Sequence, residues 1–397
     1  MNEYINVHFA LEALREQAAH QGRDGPRVLI LGPDNAGKST LAKILTGYGV
    51  RSAKSPVVVN LDVNEGVMSI PGTLTSTVFK TLSDVEEGWG TAPMSGPNGA
   101  IPVKLPLVYY FGAEHPEEKE GKVYKAQITR LGLAITGRMT KDAEAREGGV
   151  IIDTPGSLTS TKFGTVGYEV ISHIVSELQV SAIICLGSER LYADMVKRYD
   201  GTPTTSRASP TGAGAQQETI SVVKLPKSGG CVDRDASFMS SLRSTQVRAY
   251  FYGNPRLSNG IALQARQQQV DFSSLSVYRR ITSSSFSTTS ASYEDEDTFR
   301  PGDAEENPSS VPLPPSQIFE HIYNPQPGMR NCVLAVMNCA PEAEQDELRD
   351  SSVMGFLYVT DIDEMKGRIS LLSPVAGRVP DRAIVWAPWP EGVLGLA

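Results

Sequence analysis

The stretch VLILGPDNAGKST, residues 28–40, decides how the rest of this chain is to be read. Four apolar residues run into Gly32. Gly32, Gly37, Lys38 and Ser39 satisfy the pattern G-x-x-x-x-G-K-[ST], and Leu41, Ile44 and Leu45 continue at helical spacing. That order of signals predicts a strand, a tight loop and a helix start. The residue types follow from the anion such a loop holds. Several backbone N–H groups must point inward at a triphosphate, so the chain has to curl closely, which glycine permits and larger side chains obstruct. Lys38 is placed to reach the β and γ phosphates and Ser39 to hold Mg²⁺. Asp34, Asn35, Ala36 and Thr40 complete the cradle, with the positive end of the helix favouring the bound charge.

On the amino-terminal side, Ile5, Phe9, Leu11 and Leu14 recur at helical intervals, with Glu12, Arg15 and Glu16 opposite. An amphipathic helix over residues 2–20 is expected, stopped by residues 22–26. On the other side, PVVVNLD (residues 56–62) reads as a buried parallel strand ending in a carboxylate. A phosphate loop requires an acid nearby, so Asp62 is assigned a metal-binding or nucleophile-activating role. Residues 71–112, rich in Gly, Pro and Thr and containing Trp89, read as a surface excursion able to reach over a substrate. Helical character resumes at 121–143, a second strand with a terminal carboxylate opens VIIDTPGS at residue 150, and a helix near 170–178 precedes a strand over 181–186. Alternation of this kind predicts an α/β domain, a phosphate-loop parallel sheet with helices on both faces and ligands at the carboxyl ends of its strands.

The formal net charge of −8 advertises no global field for nucleic acid, so RNA contact would be a local patch. Cys185, Cys231, Cys332 and Cys339 lie in apolar or strand-like runs without metal-ligand spacing and read as reduced, buried thiols. No signal peptide or run of twenty apolar residues is visible. Residues 201–217 are small and polar, as in a mobile loop. Residues 283–316 are acidic, Ser-rich and poor in apolar side chains, as in a disordered insertion. Strand-like segments at 269–281, 332–339, 353–361, 368–372 and 383–387 predict a small β-rich domain around that insertion. The organisation expected is a helix over 1–24, a central phosphate-loop domain over 25–253 and a C-terminal β-rich domain over 254–397.

A phosphate loop alone does not separate GTPase, ATPase and kinase. The DTPG of residues 153–156 resembles a GTPase switch, yet no Asn-Lys-x-Asp element follows the strand ending at Leu186, where Gly187, Ser188, Glu189 and Arg190 stand instead. A kinase needs cations on a mobile lid. Residues 224–248, KLPKSGGCVDRDASFMSSLRSTQVR, supply a glycine pair as hinge and a helix carrying Arg234, Arg243 and Arg248.

INVHFALE (5–12), GPDNAGKST, NLDVNEGVMSIPGT (60–73), LVYYFG (107–112), ERLY (189–192), LPKSGG (225–230) and YFYG (250–253) together resemble the polynucleotide 5′-hydroxyl kinase family. Within it, the chain is similar to the Clp subunits of the eukaryotic pre-mRNA cleavage and polyadenylation machinery, of the fungal kind. The resemblance implies ATP with Mg²⁺ as cofactor, a nuclear location and a scaffold subunit of the mRNA cleavage factor as partner. It also implies an N-terminal β domain that contacts adenine. Only about 25 residues precede the first strand here, so that domain is expected to be missing.

Carried over residue by residue, Lys38 and Ser39 match the triphosphate and Mg²⁺ ligands, and Asp62 the carboxylate that takes the proton of an RNA 5′-hydroxyl. Asn60 stands where animal members have Asp, and Glu65 where they have Gln. Ser157 stands where active kinases place a Trp that clasps the terminal base, and serine offers no stacking surface. Met239 and Ser240 stand at lid-arginine positions, leaving Arg243 alone. The expected protein is an ATP-binding subunit of the RNA 3′-end processing complex with weak or absent catalysis, contacting RNA weakly or indirectly. An active RNA 5′-kinase and a regulatory GTPase or ATPase are the alternatives.

Overall fold

The computed structural model describes residues 2–82, 106–116, 121–160, 164–204, 218–253, 262–281 and 317–396. Trp89, most of the polar loop at 201–217 and the acidic stretch at 283–316 lie outside them.

The first half is one layered α/β unit. Its elements are α1 (Asn2–Gln21), β1 (Arg27–Leu31), α2 (Lys38–Arg51), β2 (Val57–Asn60), β3 (Thr73–Val78), β4 (Leu107–Tyr110), α3 (Lys122–Lys141), α4 (Ala143–Gly148), β5 (Val150–Asp153), α5 (Gly164–Glu177), β6 (Ala182–Leu186), α6 (Glu189–Tyr199) and β7 (Ser221–Leu225). The strands form one sheet in the order β4-β3-β2-β5-β1-β6-β7. The β2, β5, β1, β6 and β7 strands are parallel; the first four are buried throughout, as strands covered by helices on both faces must be, and β7 is the exposed edge. On one face α3 and α5 contribute Tyr124, Ile128, Leu131, Ile171 and Ile174 to a continuous core; on the other, Tyr4 and Leu11 of α1 pack with Leu41 and Leu45 of α2. Arg15 of α1 is buried there, and its Nε donates to the Gly148 carbonyl at 3.0 Å.

Residues 71–112 were expected as a surface excursion. Their two ends are instead buried antiparallel strands, β3 and β4, that widen the sheet. The sheet is therefore mixed rather than wholly parallel. In β3 the misleading signal was the threonine content, and the structure shows why it tolerates burial: the Thr73 and Thr75 hydroxyls donate to the Ile70 and Val67 carbonyls, both at 2.7 Å.

The second half begins with α7 (Ala236–Tyr252) and continues with β8 (Arg266–Asp271), β9 (Ser276–Arg280), β10 (Phe319–Ile322), β11 (Val333–Met337), α8 (Gln345–Asp350), β12 (Val353–Asp363), β13 (Arg368–Ser373) and β14 (Ala383–Trp386). These strands form a second sheet, ordered β10-β9-β14-β11-β12-β13-β8, antiparallel except where β14 runs parallel to β9. Every anticipated segment holds strand, but 269–281 is broken by a turn at Phe272–Ser274 into β8, which starts earlier at Arg266, and β9; β10 is additional. One face of this sheet packs on Val247 and Phe251 of α7 and on Val108 and Tyr110 of β4, so α7 and the edge of the first sheet share a core with the second.

The four cysteines are free; Cys185 and Cys339 are buried. Cys231 departs from the expectation of an apolar or strand-like setting, since it sits in the loop between β7 and α7. Among the described residues no helix is long and apolar enough to cross a membrane.

Candidate phosphate-binding site

Strand β1 ends at Leu31, and Gly32 follows beneath the Leu186 carbonyl; a Cβ on Gly32 would lie 2.8 Å from that oxygen. The chain then curls through Asn35 and Gly37, both at positive φ, before Lys38 opens α2. Glycine takes the left-handed conformation freely and asparagine tolerates it, so Gly37 with its φ of 94° is held to glycine twice over. The Cys231 Sγ would stand 2.8 Å from any Cβ there.

Helix α2 has no side-chain cap. By contrast Ser188 caps α6 and Asp235 caps α7, each accepting a backbone N–H of the first turn. The uncapped first-turn amides of α2 are left aimed into the loop, where an anion would accept them. Lys38 is buried, and its ammonium folds over the loop to donate to the Pro33 carbonyl at 2.9 Å. Asp34 packs against Gly156, which has no room for a side chain.

Strand register gathers the acids. Asn60 of β2 pairs with Asp153 of β5, and Ile30 of β1 pairs with Asp153 from the other side. Both strand ends therefore open beside the phosphate loop, at the place where the connections on either side of β1 diverge. The Asn60 side chain shapes the acid loop: its amide donates to the Asp62 and Glu65 carbonyls at 3.0 and 3.2 Å, and its oxygen accepts the Asp62 N–H. Asp62 in turn accepts the Asn64 N–H at 2.9 Å.

Burial pushes the Asp62 carboxyl up to about 7, and Glu65 and Asp153 push the same way against the pull of Lys38. Burial likewise raises Asp153 to about 6, although Lys38 and a hydrogen bond from Ser39 oppose it. One carboxylate oxygen of Asp153, Oδ1, is buried without a hydrogen-bond partner. An orphaned acceptor beside the Ser39 hydroxyl fits a hard divalent cation. Among the described residues no cluster of three or more His, Cys, Asp or Glu side chains could hold a metal by itself. A cation shared between Ser39, Asp153 and phosphate oxygens needs no such cluster.

The lid segment closes over this loop. Arg234 forms an ion pair with Glu65 and reaches the Asn35 side chain at 3.5 Å; the Cys231 thiol donates to the Ala36 carbonyl at 3.5 Å. Gln246 of α7 exchanges two hydrogen bonds with the Gly66 backbone, at 3.0 and 3.1 Å. Arg243 goes elsewhere. Its guanidinium is gripped by both oxygens of Glu391, at 2.7–2.9 Å, and lies 4.6 Å over the Trp389 ring. Gly32, Asp34, Asn35, Ala36, Gly37, Lys38 and Ser39 form one turn with Asp62 in the loop after β2, Thr40 is exposed in the first turn of α2, and Arg243 is committed to the C-terminal segment. Asp153 and Glu65 belong to the site and were legible only as a strand-end acid and a family departure. The Arg234 contact carried no local signal beyond charge.

The family described as mRNA cleavage and polyadenylation factor CLP1 P-loop matches residues 32–253, and that described as pre-mRNA cleavage complex II protein Clp1 matches residues 263–391. The mRNA cleavage and polyadenylation factors clp1 of Aspergillus terreus and Neosartorya fischeri, and CLP1 of Coccidioides immitis, are each 47% identical to the chain over all of its length and 78% of theirs. A solved structure of a wild-type Clp1p–Pcf11p complex superposes with a TM-score of 0.76 over 98% of this chain and 79% of that one, at 24% identity. A second, of the extended interface between Pcf11p and Clp1p and the basis of ATP loss in a glycine-to-arginine mutant, gives 0.75. Phosphate loop, acid pair and second sheet fall within the matched regions, and the chain belongs to the CLP1 family of mRNA cleavage and polyadenylation factors.

Proposed function

We propose that this chain binds ATP with Mg²⁺ on its phosphate loop and serves as a nucleotide-loaded subunit of the nuclear mRNA 3′-end cleavage machinery, with little or no phosphoryl transfer of its own. The observation that carries this reading is a division within one site. The binding half is complete: uncapped α2 amides, the Lys38 ammonium and the unpartnered Asp153 oxygen. The half that would stabilise a transferring phosphoryl group is depleted. Met239 and Ser240 carry no charge, Arg243 is held by Glu391, and Ser157 offers no ring to an RNA base. Removing one transition-state donor commonly lowers rate by about two to three powers of ten.

Ser39 and Asp153 would hold Mg²⁺, which supplies charge neutralisation between phosphate oxygens when bound. Lys38 and the loop amides orient the phosphates, and the lid residues Cys231 and Arg234 shield them from water. Nucleotide in excess of Kd stabilises the folded state by RT ln(1 + [L]/Kd), a few kcal/mol without turnover. A scaffold subunit of the Pcf11p kind is the partner proposed, since the relatives of this fold are solved with it.

A second reading, an active RNA 5′-hydroxyl kinase, is favoured by Asp62 alone: a carboxyl at about 7 is suited to take a proton near neutral pH. Incubation with ATP, Mg²⁺ and a 5′-hydroxyl RNA oligonucleotide decides between them. The proposal expects bound ATP by calorimetry and no phosphate on the RNA; robust transfer abolished by Asp62→Asn would overturn it.

A further inference from the structure

Residues 388–396, beyond the last strand, form a strap against the loop after β2, the β3–β4 edge, helix α7 and the second sheet. Trp389 Nε1 donates to the carbonyl of Val63, the residue after Asp62, at 3.1 Å. The Trp389 carbonyl accepts the Tyr110 hydroxyl at 2.8 Å, and Pro390 lies against Gly72, where a Cβ would stand 3.1 Å from its Cδ. Farther along, Val393 donates to the Asn331 carbonyl and accepts the Tyr358 hydroxyl, tying the strap to the second sheet.

Helix α7 is bound to the same strap. Arg243, Gln246 with Val247, and Tyr250 with Phe251 follow one another at i+3 and i+4 spacing, so they line one face. Val247 and Phe251 are fully buried in the core shared with the second sheet, and the Tyr250 hydroxyl accepts the Phe356 N–H at 3.1 Å. Arg248 donates to the Gly395 carbonyl at 2.7 Å. At the centre stands Glu391, which takes the bidentate grip of Arg243 and a hydrogen bond from Ser240. Only 12% of the Arg243 side chain and 32% of that of Glu391 is exposed. Burial alone would push the Glu391 carboxyl up; the bonds from Arg243 and Ser240 outweigh it and hold the group below the usual glutamate range.

We propose that Glu391 is a positioning residue: it latches α7 to the strap, keeps the lid segment with Cys231 and Arg234 seated on the phosphate loop, and so makes the C-terminal domain set how fast nucleotide leaves. This rests on the nucleotide-binding reading above for its consequence, though not for the latch itself. The lid segment's own bonds to the loops are the Arg234 contacts with Glu65 and Asn35 and a weak Cys231 thiol bond to Ala36, all ahead of α7; the Gln246 pair with Gly66 lies beyond Arg243, in the second half of the helix. Releasing Arg243, which lies between Arg234 and the buried carboxyl-terminal half of the helix, leaves that half to hold the lid alone.

The test uses the full chain with Glu391→Gln, which keeps shape and removes charge, Glu391→Asp, which keeps charge, and the double variant Glu391→Gln with Arg243→Gln. Amide hydrogen exchange over residues 228–245 is measured without nucleotide, and the release of a fluorescent N-methylanthraniloyl-ATP is followed by stopped flow. Glu391→Gln is expected to speed both by about tenfold, the loss of one charge-assisted contact. Glu391→Asp should recover part of the effect, and the second substitution should add nothing. Unchanged exchange in folded Glu391→Gln overturns the latch, and raised exchange with unchanged release overturns its control of nucleotide. Absence of nucleotide binding by the unmodified chain defeats the nucleotide reading and the release claim, while the exchange measurement still decides the latch.

Discussion

The phosphate loop and the lid helix face each other across a few ångströms and are specified in opposite ways. The loop is local: the six residues between β1 and α2, two of them glycines, and the lysine and uncapped amides that open the helix are all read from one short stretch. The lid helix is contextual. Arg234, expected on the helix but found in the loop just ahead of its cap Asp235, meets Glu65, 169 positions away, and Arg243 on the helix meets Glu391, 148 positions away. The same residue type thus serves the site from the loop ahead of α7 and the C-terminal segment from the helix itself. Binding is written in short-range sequence here, and the fate of a lid cation is decided by long-range partners.

The sharpest way to break that contrast is Gly37→Arg. A side chain there strains the left-handed turn and strikes Cys231, so nucleotide binding by calorimetry should vanish while circular dichroism stays native. Phe251→Ala addresses the other side. If α7 belongs to the shared core, urea denaturation should show a loss of about 3–5 kcal/mol, felt by probes in both sheets. A loss confined to the lid would separate α7 from that core.

Asp62→Asn sharpens the account of the acid loop. In the folded chain the Asp62 carboxyl lies at about 7 against an ordinary value of 3.8, so the folded state holds its proton more tightly than the unfolded one. That group's contribution to stability is therefore greatest at low pH, declines as pH rises from about 4 to about 7, and is constant above. The asparagine variant without nucleotide should be more stable than the parent by about 2 kcal/mol at pH 8, with the gain fading toward pH 4 in thermal melts. A constant gain at all pH values would assign the effect to packing. Smallest is Gln246→Ala, which removes two half-buried hydrogen bonds to Gly66 and should cost about 1 kcal/mol, read as faster exchange of amides near 62–66.

What the sequence disclosed follows the same division. The strand and helix around Gly32 to Ser39, the carboxylate closing β5 and the β-rich second half were legible because each obeys a local rule of periodicity, breaker or strand-end acid; β2 ends at Asn60 instead of at a carboxylate, and Asp62 lies in the loop after it. The β3 strand was not, because threonine reads as loop composition until carbonyls at Val67 and Ile70 are seen to accept its hydroxyls, and the short apolar β4 is a strand only through its pairing with β3. Asp153 could be recognised as a strand end, but its place beside Ser39 follows from the order β2-β5-β1, which no window of sequence contains. Arg243 illustrates the limit of resemblance. Its position matches a lid cation, and a glutamate near the chain's end redirects it.

Strand β14 is among the last elements of the chain, yet it lies inside the second sheet, with β9 on one side and β11 on the other. During synthesis the interior of that sheet therefore has a gap until residues 383–386 emerge, and the strap follows later still. The strands that carry the phosphate loop and Asp153 are all made long before the strap that fastens the lid segment. A chain stopped short of Ala383 would keep an intact phosphate loop while presenting two bare strand edges to its neighbours, a recipe for self-association rather than for a smaller working protein.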